Sequence, residues 1–100
     1  MKLHPKSLII PYIQKAIDII SKGINIYPRE IEEVLYLHPS VKAAAVIGIK
    51  DESNGEIPIA YVELDLDEPT LTESAVKIYL KQHLANFKIP KNVHFLDELP

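Results

Sequence analysis

The side chains able to do chemistry are few and scattered. Histidines stand at 4, 38, 83 and 94, with no two at metal-ligand spacing. The chain has no cysteine, so thiolate ligands, a cysteine nucleophile and a disulfide framework are all excluded. Glu32-Glu33 and Asp97-Glu98 are adjacent pairs that splay apart rather than converge on one bond, so both read as solvated surface charge. His83 falls on an apolar helical stripe and reads as a packed, hydrogen-bonded histidine. His38 reads as a helix C-terminal residue complementing the helix dipole. None of the three glycines belongs to a phosphate-cradling G-x-x-x-x-G-K loop. The five tyrosines, at 12, 27, 36, 61 and 79, are spread like partly buried packing residues rather than a base-stacking platform. Residue types and spacing alone therefore nominate no catalytic residue and no metal site.

The elements that would position a site are clearer. Pro11 to Gly23 carries Ile13, Ala16, Ile17 and Ile20 on one helical face, between a proline suited to a first helical position and a glycine suited to a C-terminal cap. The isoleucines at 17, 19 and 20 fit a strand equally well. A helix over 28–37 is signalled by Pro28, acidic residues at 30, 32 and 33, the stripe Ile31, Val34 and Leu35, and a stop at His38-Pro39. Val41 to Ile49 is a nearly continuous apolar run expected as a strand, and Ile57 to Leu64 is its hairpin partner across a polar Asn54-Gly55 turn. Pro58 cannot donate a ladder bond, so it belongs near the strand start or at an edge. Thr70 with Glu73 matches a capping box, Thr72 competes as the cap, and Val76, Tyr79, Leu80, His83 and Leu84 form the stripe behind it. Pro90 ends that helix and 93–96 is a third strand. The order predicts an α+β fold, a small mainly antiparallel sheet packed with two core helices.

The chain of 100 residues is large enough for one domain with its own core. Its composition, 47% hydrophobic and 25% charged, is that of a globular protein. A net charge of −3 without a basic stripe argues against nucleic acid as a partner. No apolar run approaches the roughly 20 residues of a membrane span. The start MKLHPKSLIIPYI has a basic, then apolar pattern, but Pro11 interrupts it and no small-residue cleavage site follows. Export is therefore not expected, and a cytoplasmic protein is.

Fifteen consecutive residues carry a resemblance: Ile19-Ile20-Ser21-Lys22-Gly23-Ile24-Asn25-Ile26-Tyr27-Pro28-Arg29-Glu30-Ile31-Glu32-Glu33. The pattern continues through His38-Pro39-Ser40-Val41, Ala45-Val46-Ile47-Gly48, Asp51-Glu52, Gly55-Glu56, Leu84-Ala85-Asn86-Phe87-Lys88-Ile89-Pro90 and 93–100. Together these resemble the small C-terminal domain of the adenylate-forming (AMP-binding) acyl-CoA synthetases over residues 19–100, leaving 1–18 as an unmatched N-terminal extension. The Ile-Tyr-Pro-Arg-Glu-Ile-Glu-Glu string is most similar to fatty-acyl and medium-chain members. The resemblance implies a two-step reaction in which a carboxylate attacks ATP to form an acyl-adenylate, and the CoA thiol then displaces AMP. It also implies a large partner domain that binds ATP and the acid, against which the small domain rotates between two poses.

The resemblance assigns candidate CoA-side residues. Gly23 matches a turn whose missing side chain lets pantetheine approach the backbone; a plain turn glycine and a helix cap are its local rivals. Asn54 lies in a turn that approaches the CoA adenine in some relatives, against an ordinary Asn-Gly turn. Phe87, Lys88 and Lys91 fall where relatives place an aromatic and basic residues near the adenine and 3′-phosphate, against a buried Phe87 beside solvated lysines. Three departures accompany the match. The nucleotide-binding domain is not in these residues, so ATP and magnesium would enter only with a separate adenylation domain. The family's catalytic lysine follows the Asp-Glu-Leu-Pro stretch in a Thr-x-x-Gly-Lys context, and the chain reads as truncated before it; neither Lys88 nor Lys91 takes that place. Where the family carries a Lys-Asp pair before the Ile-Ile dipeptide, this chain has Ala16-Ile17, with Asp18 one place late.

The expectation is a stand-alone or truncated C-terminal domain that is not catalytic alone and contributes CoA-side contacts to a separate adenylation-domain protein. A non-catalytic interaction module and a relic of a truncated gene are the alternatives. Isoleucines 9, 10, 13, 17, 19 and 20 would supply an apolar patch for such a partner or for a homo-oligomer.

Overall fold

A computed structural model describes residues 18–65 and 71–97. Within them run β1 (Ile19–Ser21), β2 (Ile24–Ile26), α1 (Pro28–Tyr36), β3 (Val41–Asp51), β4 (Gly55–Leu64), α2 (Glu73–Lys81), a 3-10 turn (Asn86–Lys88) and β5 (Asn92–Phe95). The sheet is ordered β2-β1-β4-β3, with β5 alongside β4 and parallel to it. Every other pairing is antiparallel. The α+β architecture is the one the sequence predicts, and from α1 onward the element order is also as predicted.

The departure lies at the start. The expected helix over 11–23 fails in its described part: Ile19 to Ser21 is a strand, and Gly23 is a hairpin turn residue rather than a helix cap. Residues 11–17 of that expectation, and most of the expected 1–18 extension, lie outside the described residues. Lys22 and Gly23 have φ of +54° and +78°, the two positive angles a type I′ turn requires. That turn matches the right-handed twist of its strands, and Ile19 and Ile26 pair across it with both side chains buried.

α1 opens at Pro28, which needs no N–H partner there, and buries Pro28, Ile31, Glu32 and Leu35. α2 is capped by Thr72, whose Oγ1 accepts from Ala75 N–H at 3.1 Å. Thr72 rather than Thr70 is thus the cap; Thr70 lies outside the described residues. α2 ends at Lys81, well before Pro90, so His83 sits past the helix, exposed, with its ring 4.9 Å from that of Tyr79. The expectation of a packed His83 is corrected by that early end.

One core joins both helices to one face of the sheet: Ile31 and Leu35 of α1, Val76 and Leu80 of α2, and Ile19, Val46, Val62 and Val93 from the strands. Tyr79 ties the helices together, its hydroxyl donating to Val34 O at 2.7 Å. The opposite sheet face carries a smaller cluster of Ala43, Ala45 and Tyr61.

Pro58 is the fourth residue of β4 and is buried. Lys91 N–H donates to its carbonyl at 2.8 Å. The N and O of one strand residue point the same way, so the missing donor lies on this side too. β1 pairs with β4 only at Gly55 and β5 only from Ile59, so Pro58 occupies the gap between them.

Candidate functional site

Two turns meet at one end of the sheet. The β3–β4 connection places Gly55 at φ +87°, and Asp51 Oδ2 accepts from both the Asn54 backbone N–H (3.0 Å) and its side-chain amide (2.7 Å). Asn54 is therefore an ordinary turn-forming asparagine first, its amide spent on the turn. Its carbonyl then accepts from Lys22 N–H at 2.7 Å. The bond joins the Lys22-Gly23 turn to the Asn54-Gly55 turn, so two of the candidate residues, distant in sequence, lie side by side. Gly23 is exposed, and a Cβ there would meet nothing within 4 Å. Its glycine identity follows from its φ, and its backbone is open to an approaching chain.

Beside these turns is an open cleft of about 550 Å³ lined by Ile20, Lys50, Asp51, Glu52, Gly55 and Glu56. Ile20 is half exposed there, and Glu56 Oε1 accepts its N–H at 3.0 Å.

The other three candidates cluster at the 3-10 turn and the approach to β5. Phe87 is 50% exposed, which excludes the buried alternative. Lys88 is not a freely solvated lysine: its Nζ lies 2.9 Å from Glu30 Oε1 and 3.1 Å from Oε2, and 5.7 Å from the Phe87 ring centroid. Lys91 is exposed, and its carbonyl accepts from Lys77 Nζ at 2.6 Å. Lys91 docks on β4 at Pro58 and the Gly23 turn docks at Asn54–Gly55. The docking points of Lys91 and of the Gly23 turn therefore lie on the same edge of β4, about 10 Å apart at 3.3 Å per residue.

The sequence reading missed the acidic side chains that support this scaffold. Glu32 is not solvated surface charge: it is fully buried, and its Oε2 accepts from Val46 N–H at 2.8 Å, on the edge of β3 away from β4. Its place at i, i+3, i+4, i+7 with Pro28, Ile31 and Leu35 is the signal that marks it as inward-facing. Glu33 does remain outside, loosely paired with Arg29 at 3.8 Å. Tyr36 donates to Ala44 O at 2.9 Å; burial, reinforced by the Glu32 carboxylate, pushes its phenol up to about 12. Burial raises the Tyr79 phenol as well. Tyr27, by contrast, is half exposed rather than a packing residue. Glu73 accepts from Val93 N–H at 2.7 Å, and this bond holds its carboxyl below the ordinary carboxylate range. His38 Nδ1 accepts from Ser40 N–H at 3.1 Å just past the helix end. Among the described residues no three His, Asp or Glu are grouped to hold a metal, and no helix is long and apolar enough to cross a membrane.

Comparison with known proteins bears on the family and the fold. The profile of the AMP-binding enzyme C-terminal domain matches residues 30–100. A 2-succinylbenzoate–CoA ligase of Bacillus mycoides is 48% identical over 82 residues, covering 82% of this chain and 16% of the ligase. Among solved structures, ATP-bound MatB from Rhodopseudomonas palustris matches at 40% identity and TM-score 0.79 over 86% of this chain and 17% of its own. A Mycobacterium tuberculosis fatty acyl CoA synthetase matches at 43% identity and TM-score 0.75 over 83% of this chain and 16% of its own. The chain thus spans about one sixth of the length of the relatives it matches.

Proposed function

We propose, since this chain belongs to the AMP-binding enzyme C-terminal domain family, that its work is to supply the CoA-facing surface of an AMP-forming acid–thiol ligase. The observation that carries this is the Lys22 N–H to Asn54 O bond, which brings an open glycine turn beside a second turn. In the reaction the acid's carboxylate oxygen bonds to the α-phosphorus of ATP and pyrophosphate leaves. The CoA sulfur then bonds to the acyl carbon as AMP departs with the acyl-adenylate oxygen. Adenylation belongs to a large domain that holds ATP and magnesium, so these 100 residues do not catalyse ligation alone. Gly23 lines the path of pantetheine and the Asn54 turn approaches the CoA adenine, while the exposed Phe87 ring, Lys88 and Lys91 receive the adenine and the 3′-phosphate. A phosphate of CoA offers Lys88 a competitor for Glu30, and an ammonium is suited to either as a point charge. We further propose that the acid is a fatty acid and that the protein works in the cytoplasm.

A second reading, a non-catalytic interaction module, draws on the Lys88–Glu30 pair, which already neutralises the best phosphate ligand, and on the exposed Leu37 and Ile78. Reconstitution separates the two. The large domain of the B. mycoides ligase, produced without its own small domain, is mixed with this chain and preformed acyl-adenylate, and thioester formation on adding CoA is followed, a step that does not call on the family's adenylation lysine. The CoA-facing reading expects CoA-dependent thioester above that of the large domain alone. Restoration by the ligase's own small domain but not by this chain would favour the interaction module.

A further inference from the structure

The β1–β2 hairpin is fastened to the sheet over a very short contact. Ser21 opposite Gly55 is the only paired position between β1 and β4. Continuing that register places Lys22 opposite Asn54 and Ile20 opposite Glu56. Lys22 N–H makes the main-chain bond that the register calls for, to Asn54 O. At Ile20 the acceptor is instead the Glu56 side chain, Oε1 at 3.0 Å. A carboxylate has taken the place of a strand carbonyl, and β1 diverges from β4 there along the cleft that Ile20 and Glu56 line. Beyond it stands Pro58, which cannot extend the ladder. The packing behind this contact is tight. A Cβ at Gly48 would come within 2.9 Å of Ile19 Cγ1 and 3.3 Å of Glu56 Oε2, and one at Gly55 within 3.3 Å of the Ile20 carbonyl. Two glycines thus leave room for the hairpin to close down on Glu56.

We infer that Glu56 is a positioning residue for CoA. Its carboxylate clasps Ile20 N–H, fixes the β1–β2 hairpin, and thereby sets where the Gly23 turn meets the thiol arm. The inference rests on the CoA-facing reading of Gly23 proposed above. Glu56 itself need not touch the ligand. A side-chain acceptor on a half-exposed site is also the element of the clasp that can be removed without disturbing the core.

The test uses the full chain in three forms: wild type, Glu56→Ala and Glu56→Gln. Amide hydrogen exchange is read residue by residue, and CoA binding is measured by calorimetric titration. In Glu56→Ala the Ile20 and Lys22 amides exchange at least about tenfold faster, while Val46 and Ala60 keep wild-type rates. The Kd for CoA rises about tenfold, the effect of losing one well-placed hydrogen bond. Glu56→Gln, whose Oε1 still accepts, stays within about twofold of wild type on both readouts. Unchanged Ile20 exchange in Glu56→Ala overturns the clasp, as does a Glu56→Gln form as defective as Glu56→Ala. If exchange behaves as stated but wild type shows no saturable CoA binding, the clasp stands and the CoA reading of the Gly23 turn fails, taking the positioning role with it.

Discussion

The α1–β3 seam and the β1–β4 seam are each closed by a glutamate that accepts a main-chain N–H, yet the two sit in opposite surroundings. Glu32 is fully buried between α1 and β3, where its bond to Val46 N–H is shielded from water. Glu56 faces an open cleft, where water can replace it on Ile20 N–H. A buried donor that loses its acceptor stays desolvated and unsatisfied, whereas an exposed one is resolvated at little global cost. The first seam therefore governs whether the domain folds, and the second governs where one hairpin stands. That division suits a domain whose core is a fixed platform and whose candidate binding turns are carried at its margin.

The largest expected effect is at the buried seam. Glu32→Ala removes the acceptor of Val46 N–H and leaves a void, and should lower stability by about 3 kcal/mol in denaturant unfolding, with little change in slope. A loss no greater than that of a surface substitution would erase the contrast between the seams. Gly48→Ala comes next. Its Cβ would crowd Ile19 Cγ1 at 2.9 Å, and about 1–2 kcal/mol of destabilisation is expected, with the exchange of the hairpin amides rising first. Uniform exchange changes across the core would place Gly48 in the wrong seam.

The smallest effect is a titration. The Tyr36 phenol is raised in the folded state, so the fold holds that proton more tightly than the unfolded chain does. Its contribution is complete below pH 10 and is lost as pH climbs through about 12. Alkaline difference absorbance should show Tyr36 ionising late, near pH 12, with Tyr79 also displaced above its ordinary range and unfolding following. A full set of tyrosines ionising near pH 10 in the native protein would contradict the burial of this seam.

Much of this was legible beforehand, and what was not has identifiable causes. α1, β3, β4 and α2 carry long periodic patterns, and their positions follow from the stripe Ile31, Val34, Leu35 and from the apolar run 41–49. The β1–β2 hairpin was hidden because three isoleucines suit a helix face and a strand alike, and two three-residue strands are too short for a period to show. The Lys22-Gly23 dipeptide between Ile-Ile-Ser and Ile-Asn-Ile was the available turn signal. Glu32 was misjudged by its charge, although its spacing placed it inside. At the candidate site, resemblance supplied all five residues, but only the fold reveals that Gly23 and Asn54 adjoin and that Lys88 is held by Glu30.

On the proposed function, the Gly23 and Asn54 turns and the group of Phe87, Lys88 and Lys91 form one CoA-facing surface. Its most direct test is an NMR titration of the isotope-labelled chain with CoA and, separately, with dephospho-CoA. Saturable shifts are expected at Lys22, Gly23 and Asn54 with both ligands, and at Phe87, Lys88 and Lys91 with CoA, the shifts at the two lysines fading when the 3′-phosphate is absent. Shifts at only one group, or lysine shifts indifferent to the 3′-phosphate, would contradict it.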